Sequence, residues 1–251
     1  MKLSGLVGFV SLFLCLGSSM HGQTSESGSV RRRNTFGIYV EYSNDSSHMV
    51  LGIAEDRKLV ALGGSYALRL WRSHVGDLRY IVEARPVLMV SDPVMHSTVT
   101  ITPIVPPGAP STSISQTEPT TACHPGTYQE TVQFPNESLD VKVIDTCDRR
   151  WVFAQGFSPV GFQYGFRPGH RLQPLLTSTA GYVFSTTPIP VSNAGSFNFT
   201  FDMGVGLEWF RTRNQSIQFE YRYHHISNHF TADANPGVDN GVFKLTYAFG
   251  R

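Results

Sequence analysis

His225, Ser227 and Asp239 are the side-chain types of an acyl-transfer centre: a base, a hydroxyl nucleophile and an acid that fixes the tautomer of the base. They lie in QSIQFEYRYHHISNHFTADANPGVDNGVFKLTY, residues 215–247, which reads as two alternating strands joined by a polar loop. Residues two apart on a strand project to one face, so His225 can lean onto Ser227 while Asp239 arrives from the adjacent antiparallel strand. A bland reading stands beside this one, because His-x-Ser arises by chance and aromatics with histidine compose an ordinary membrane-interface girdle. His224 falls on the opposite face and reads as an interior residue. Neighbours on a strand point apart, so His224 and His225 are not expected to share a metal.

The elements that position these residues belong to an exported chain. Lys2, the apolar run Leu6–Leu16 and the small residues Gly17, Ser18 and Ser19 read as a secretory signal over residues 1–22, and residues 23–34 as a flexible leader. With the signal goes Cys15, leaving Cys123 and Cys147. An even pair in an exported protein favours a disulfide, which by chain entropy contributes about 3 to 4 kcal/mol. The competing reading, a catalytic or metal-binding Cys123 beside His124, finds no further ligands at zinc spacing. A formal net charge of +1 gives no basic stripe for a phosphate backbone, which argues against nucleic acid as a partner.

From Thr35 onward the chain alternates with period two, and it divides into eight strands with no amphipathic helix of useful length. FNFTFDMGVGLEW is the clearest, setting Phe197, Phe199, Phe201, Met203 and Val205 against Asn198, Thr200, Asp202 and Gly204. The expected fold is all-β, an eight-stranded antiparallel transmembrane β-barrel over residues 35–251. Residues 92–149 break the alternation with Pro, Ser and Thr and read as a long extracellular loop insertion, with a small hairpin at LDVKVID. A soluble lipocalin-like barrel is the alternative. It would expose Arg79, Glu83, Arg85, Asp202, Glu208, Glu220 and Arg222, which a narrow polar barrel pairs inside.

Loop lengths favour the membrane. RSHVG, RPGH and RTRN are short, while the connections containing SNDSSH, the Pro-rich insert, STTPIPVSNAG and SNHFTADANPGVD are long, the outer-membrane pattern. Parity then places His225, Ser227 and Asp239 on the lipid-facing side at the outer leaflet, where an acylated lipid is the natural substrate of a serine esterase. Phe219, Tyr221, Tyr223 and Phe243 would hold the acyl chain, and Asn228 with the backbone N–H groups after Ser227 would stabilise the oxyanion.

The segments YRYHHISN and NPGVDNGVF, together with SPVGFQYGFRP, QPLLTSTAGYVFSTTPIPV and FNFTFDMGVGLEW, resemble the lipid A 3-O-deacylase family. The resemblance spans residues 151–249 well, 35–90 faintly, and does not cover the insert. It implies an outer-membrane barrel that removes the ester-linked 3-O-acyl chain of lipid A, with lipopolysaccharide as partner and neither metal nor other cofactor. By motif, His225 matches the general base, Ser227 the nucleophile and Asn228 the oxyanion residue. The family's acid is typically Glu; Asp239 stands at its spacing, with Asn240 as a competitor for orienting His225. His229 replaces a small residue expected after the Asn. The alternative function is a structural or adhesive barrel that has lost catalysis, and the sequence leaves homodimer formation open.

Overall fold

The computed structural model describes residues 32–105 and 108–250, so the signal segment lies outside the described residues. Ten strands follow one another: β1 (Asn34–Ser43), β2 (Lys58–Arg72), β3 (Gly76–Val105), β4 (Thr112–Pro119), β5 (Gly126–Phe134), β6 (Glu137–Phe166), β7 (Leu172–Ser185), β8 (Phe197–Phe210), β9 (Gln215–Ser227) and β10 (Val238–Gly250). Every pairing between them is antiparallel, and the order runs β3-β2-β1-β10-β9-β8-β7-β6 before β6 pairs back onto β3. That last pairing closes a ring of eight strands and leaves the barrel no free edge.

Alternation explains the closure. Phe36, Ile38, Val40 and Tyr42 of β1 point outward, as do Phe199, Phe201, Met203 and Val205 of β8. Trp71 and Trp209 flank this apolar band near the short-turn end and Trp151 near the long-loop end, as membrane girdles do. The opposite parity fills the interior with ion pairs. Arg85 Nε bonds Glu41 Oε2 at 2.7 Å, Arg222 Nη1 bonds Glu83 Oε2 at 3.0 Å, Arg79 Nη1 bonds Glu208 Oε2 at 2.8 Å, and Lys244 Nζ lies 2.5 Å from Glu83. Buried charges are tolerated because each is paired; removing one partner of such a pair costs about 3–5 kcal/mol.

Two stretches differ from the sequence expectation. Arg32, at the end of the leader expected to be flexible, is buried against the short-turn end. Its Nε donates to Arg213 O at 2.8 Å and its guanidinium lies 5.0 Å from the Phe210 ring centroid. The insertion is a paddle of β-structure, where a loop with one small hairpin was expected. β3 and β6 run on past the barrel rim, still paired from Pro93↔Arg149 to Val105↔Ser138, and β4 and β5 add to their outer edges. LDVKVID is therefore the opening stretch of a long strand that pairs on both sides. One paddle face carries Val99, Ile101, Val141 and Val143, and the other a ladder of hydroxyl pairs, Thr98–Ser115 at 3.1 Å and Thr100–Ser113 at 3.0 Å. Cys123 and Cys147 form a disulfide, with Cα atoms 5.9 Å apart.

Above the polar interior, the long-loop end is closed by an apolar plug that includes Leu59, Leu88, Val90, Ile189, Ile226 and Val238. Arg57 bolts the loops over it. Its guanidinium donates to Glu55 O at 2.7 Å, Thr121 O at 2.9 Å, Pro190 O at 3.0 Å and Asp92 Oδ1 at 3.1 Å, and Arg150 takes the other carboxylate oxygen of Asp92 at 3.1 Å.

Candidate active site

Strand register brings the candidate residues together. Asp239 of β10 stands opposite His225 of β9, and on the other side of β9 Phe201 and Phe199 of β8 stand opposite His225 and Ser227. His225 Nδ1 lies 2.6 Å from Asp239 Oδ1. An ionised carboxylate accepts there, so Nδ1 carries the proton and Nε2 is the nitrogen that can accept one from a nucleophile. The histidine is 14% exposed, enough to be reached from outside.

Asp239 has the parity of the lipid-facing wall, yet it is 0% exposed. The β1–β2 loop folds down over it. Val50 N and Leu51 N each donate to Oδ2 at 2.8 Å, while Tyr223 Oη donates to Oδ1 at 2.8 Å. With His225 that makes four donors for two oxygens, which satisfies a carboxylate withdrawn from water. The approach is close enough to need glycine: a Cβ on Gly52 would stand 2.8 Å from Asp239 N. A Cβ on Gly237, at φ +62°, would stand 3.2 Å from Gly52 Cα and 3.2 Å from His225 Cε1. The Tyr223 ring stacks over His225, centroids 6.4 Å apart with 9° between planes.

Ser227 and His225 open onto one cleft of 320 Å³, lined also by Phe199, Thr200, Phe201 and His229. No hydrogen bond joins the two among the described residues; Ser227 Oγ instead accepts from His229 N at 3.2 Å. His229 and Phe230 hold successive left-handed conformations, φ 52° and 58°, an uncommon arrangement for residues with side chains. It turns the His229 N–H back onto the serine oxygen.

Asn228 is not brought into the cleft. Its Nδ2 donates to Ala234 O at 2.6 Å and its Oδ1 accepts from Phe230 N at 2.9 Å, so the side chain is drawn away to staple the β9–β10 loop. Asn240 points inward, donating to Ser43 Oγ, Asn44 O and Arg57 O, and leaves His225 to Asp239. Of the aromatics expected to hold an acyl chain, Tyr223 donates to Asp239, while Phe219, Tyr221 and Phe243 stack together on the wall below it. The cleft aromatics are Phe199 and Phe201. The tight RTRN turn fixes the β8–β9 register that puts them beside the histidine, so the signal was present in the sequence.

A closed ring of eight antiparallel strands, ion-paired within and apolar with tryptophan girdles without, is a membrane-spanning β-barrel, and the bacterial outer membrane is where such barrels reside. The family model described as lipid A 3-O-deacylase (PagL) matches residues 126–248: the family that the resemblance named, over a span that also takes in the second half of the paddle, which the resemblance left out. Among solved structures, the chain is similar to the outer membrane enzyme PagL, with 14% identity, a TM-score of 0.48, and 86% of this chain and 99% of that chain covered. It is also similar to Neisserial surface protein A (NspA), with 11% identity, a TM-score of 0.41, and coverage of 86% and 97%. No curated protein matches the sequence.

Proposed function

We propose that the protein is an outer-membrane ester hydrolase that removes the 3-O-linked acyl chain of lipid A, with Ser227 as nucleophile, His225 as general base and Asp239 as the orienting acid. The carrying observation is the His225–Asp239 contact at 2.6 Å on the lipid-facing side of the wall, beside a cleft that also contains Ser227. Ser227 Oγ attacks the ester carbonyl carbon as its proton passes to His225 Nε2. The C–O bond to the sugar then breaks, and the departing sugar oxygen takes that proton. Water, deprotonated by His225, attacks the acyl-serine, releasing the fatty acid and restoring Ser227. Asp239 keeps Nδ1 protonated throughout. The His229 N–H, already directed at Ser227 Oγ, supports the oxyanion, and Asn228 holds the loop that presents it.

Ser227 and His225 share one cleft without a hydrogen bond between them among the described residues, and catalytic contacts are commonly loose before substrate binds. The second reading, a barrel of the same fold without catalysis, draws on the missing Ser227–His225 hydrogen bond. Mass spectrometry of lipid A from cells with and without the protein distinguishes the two. Loss of one 3-hydroxyacyl chain with the native protein, and its retention with Ser227→Ala, is the expected result; full deacylation by Ser227→Ala would remove the triad.

A further inference from the structure

The β1–β2 loop presents an unusual combination. Its backbone N–H groups at Val50 and Leu51 point inward onto Asp239, while its side chains point away: Val50 is 72% exposed and Leu51 63%, with Met49 and Ile53 also exposed beside them. A solvent-facing loop of this composition would leave four adjacent apolar side chains in water with nothing gained. The place of the loop on the barrel resolves this. Asp239 has outward parity on β10, in line with Phe243 and Leu245 of the lipid-facing wall, so whatever covers Asp239 from outside stands where lipid would otherwise stand.

A carboxylate meeting hydrocarbon is strongly disfavoured, because it loses its hydration with nothing in exchange. Here the loop pairs the carboxylate with backbone donors on its inner side and offers an apolar surface on its outer side. Gly52 permits the close approach, and two backbone bonds, Ile53 N to Pro236 O at 2.8 Å and Ala54 N to Gly237 O at 3.1 Å, fasten the loop to the segment leading into β10.

We propose that residues Met49–Ile53 form a lipid-immersed seal: an apolar lip that dips into the outer leaflet, contacts its acyl chains directly, and keeps Asp239 shielded on the membrane side. The occupant of this surface is bilayer hydrocarbon, because the lip is continuous with the wall that already meets it. The surface is a lipid contact in its own right, independent of whether Ser227 is a nucleophile.

The test is depth-dependent fluorescence quenching. Leu51→Trp is introduced after Trp71, Trp151 and Trp209, the three tryptophans of the chain, are replaced by Phe. The protein is reconstituted into phosphatidylcholine vesicles with and without bromine on the acyl chains, and Tyr128→Trp on the paddle serves as the water-exposed control. The seal predicts that acyl-chain bromine quenches the indole of the Leu51→Trp variant at least about two-fold, with a blue-shifted emission, and leaves the control little changed. Quenching by aqueous iodide with none by brominated lipid would overturn it, as would an indole shielded from both quenchers, which would mean that a second copy covers the lip. Val50→Trp repeats the measurement should Leu51→Trp fail to fold. No substrate is present, so a catalytically silent barrel whose lip indole is quenched by brominated lipid would still support the seal.

Discussion

Two neighbouring histidines on β9 each hold an aspartate at 2.6 Å, and they differ in nearly everything else. His224 faces the barrel interior. Its partner Asp202 also takes Thr179 at 3.0 Å and Arg85 at 3.3 Å, and His224 Nε2 is buried without a hydrogen-bond partner among the described residues. His225 faces outward, its aspartate is held by a loop and a tyrosine, and it lines a cleft that also contains Ser227. A His–Asp contact is therefore not a catalytic signature by itself. On one face it joins an ion network that fills the barrel; on the other it holds an imidazole beside an outward-facing cleft, the arrangement that the proposed hydrolase would use.

Breaking each pair separately tests that contrast. The largest effect is expected for His225→Ala, which should lower deacylation about 10⁴-fold while the barrel keeps its heat-modifiable migration on gels. Asp239→Asn should follow, at roughly 10³-fold, since the amide can no longer favour the useful tautomer. His224→Ala should leave activity within about two-fold yet lower stability by about 3 kcal/mol in urea titrations of the reconstituted barrel, because Asp202 loses a buried partner. Equal loss of activity in the His224 and His225 variants would erase the distinction. The smallest change in free energy belongs to Tyr223→Phe: Asp239 keeps three donors, so a decrease of about five-fold in kcat is expected, with KM unchanged.

The barrel was legible in the sequence because its physics is local. Each strand must alternate to satisfy lipid on one side and ion pairs on the other, and three short turns fix the pairing of their neighbours. The outward parity of His225, Ser227 and Asp239 follows from the same rule. The paddle was not legible, because Thr98, Thr100, Ser113 and Ser115 look like loop composition until the strands they bond across are known. Nor was the hold on Asp239, since backbone N–H groups of Val50 and Leu51 leave no mark in residue type. Asn228 illustrates the limit of motif transfer: its position matches, but Ala234 O and Phe230 N–H claim its amide.

The Arg57 bolt has a consequence for anyone engineering the surface of this protein. External loops of barrels commonly accept epitope tags or peptide insertions because each moves by itself. Here one guanidinium is shared among the β1–β2 loop, the paddle segment at Thr121 and the β7–β8 loop at Pro190, and the first of these also holds Asp239. A tag placed at Thr121 or Pro190 would thus act as a remote lesion of the acid, whereas the hairpin tip between β5 and β6, at Pro135 and Asn136, lies outside the bolt and is the site to choose for display.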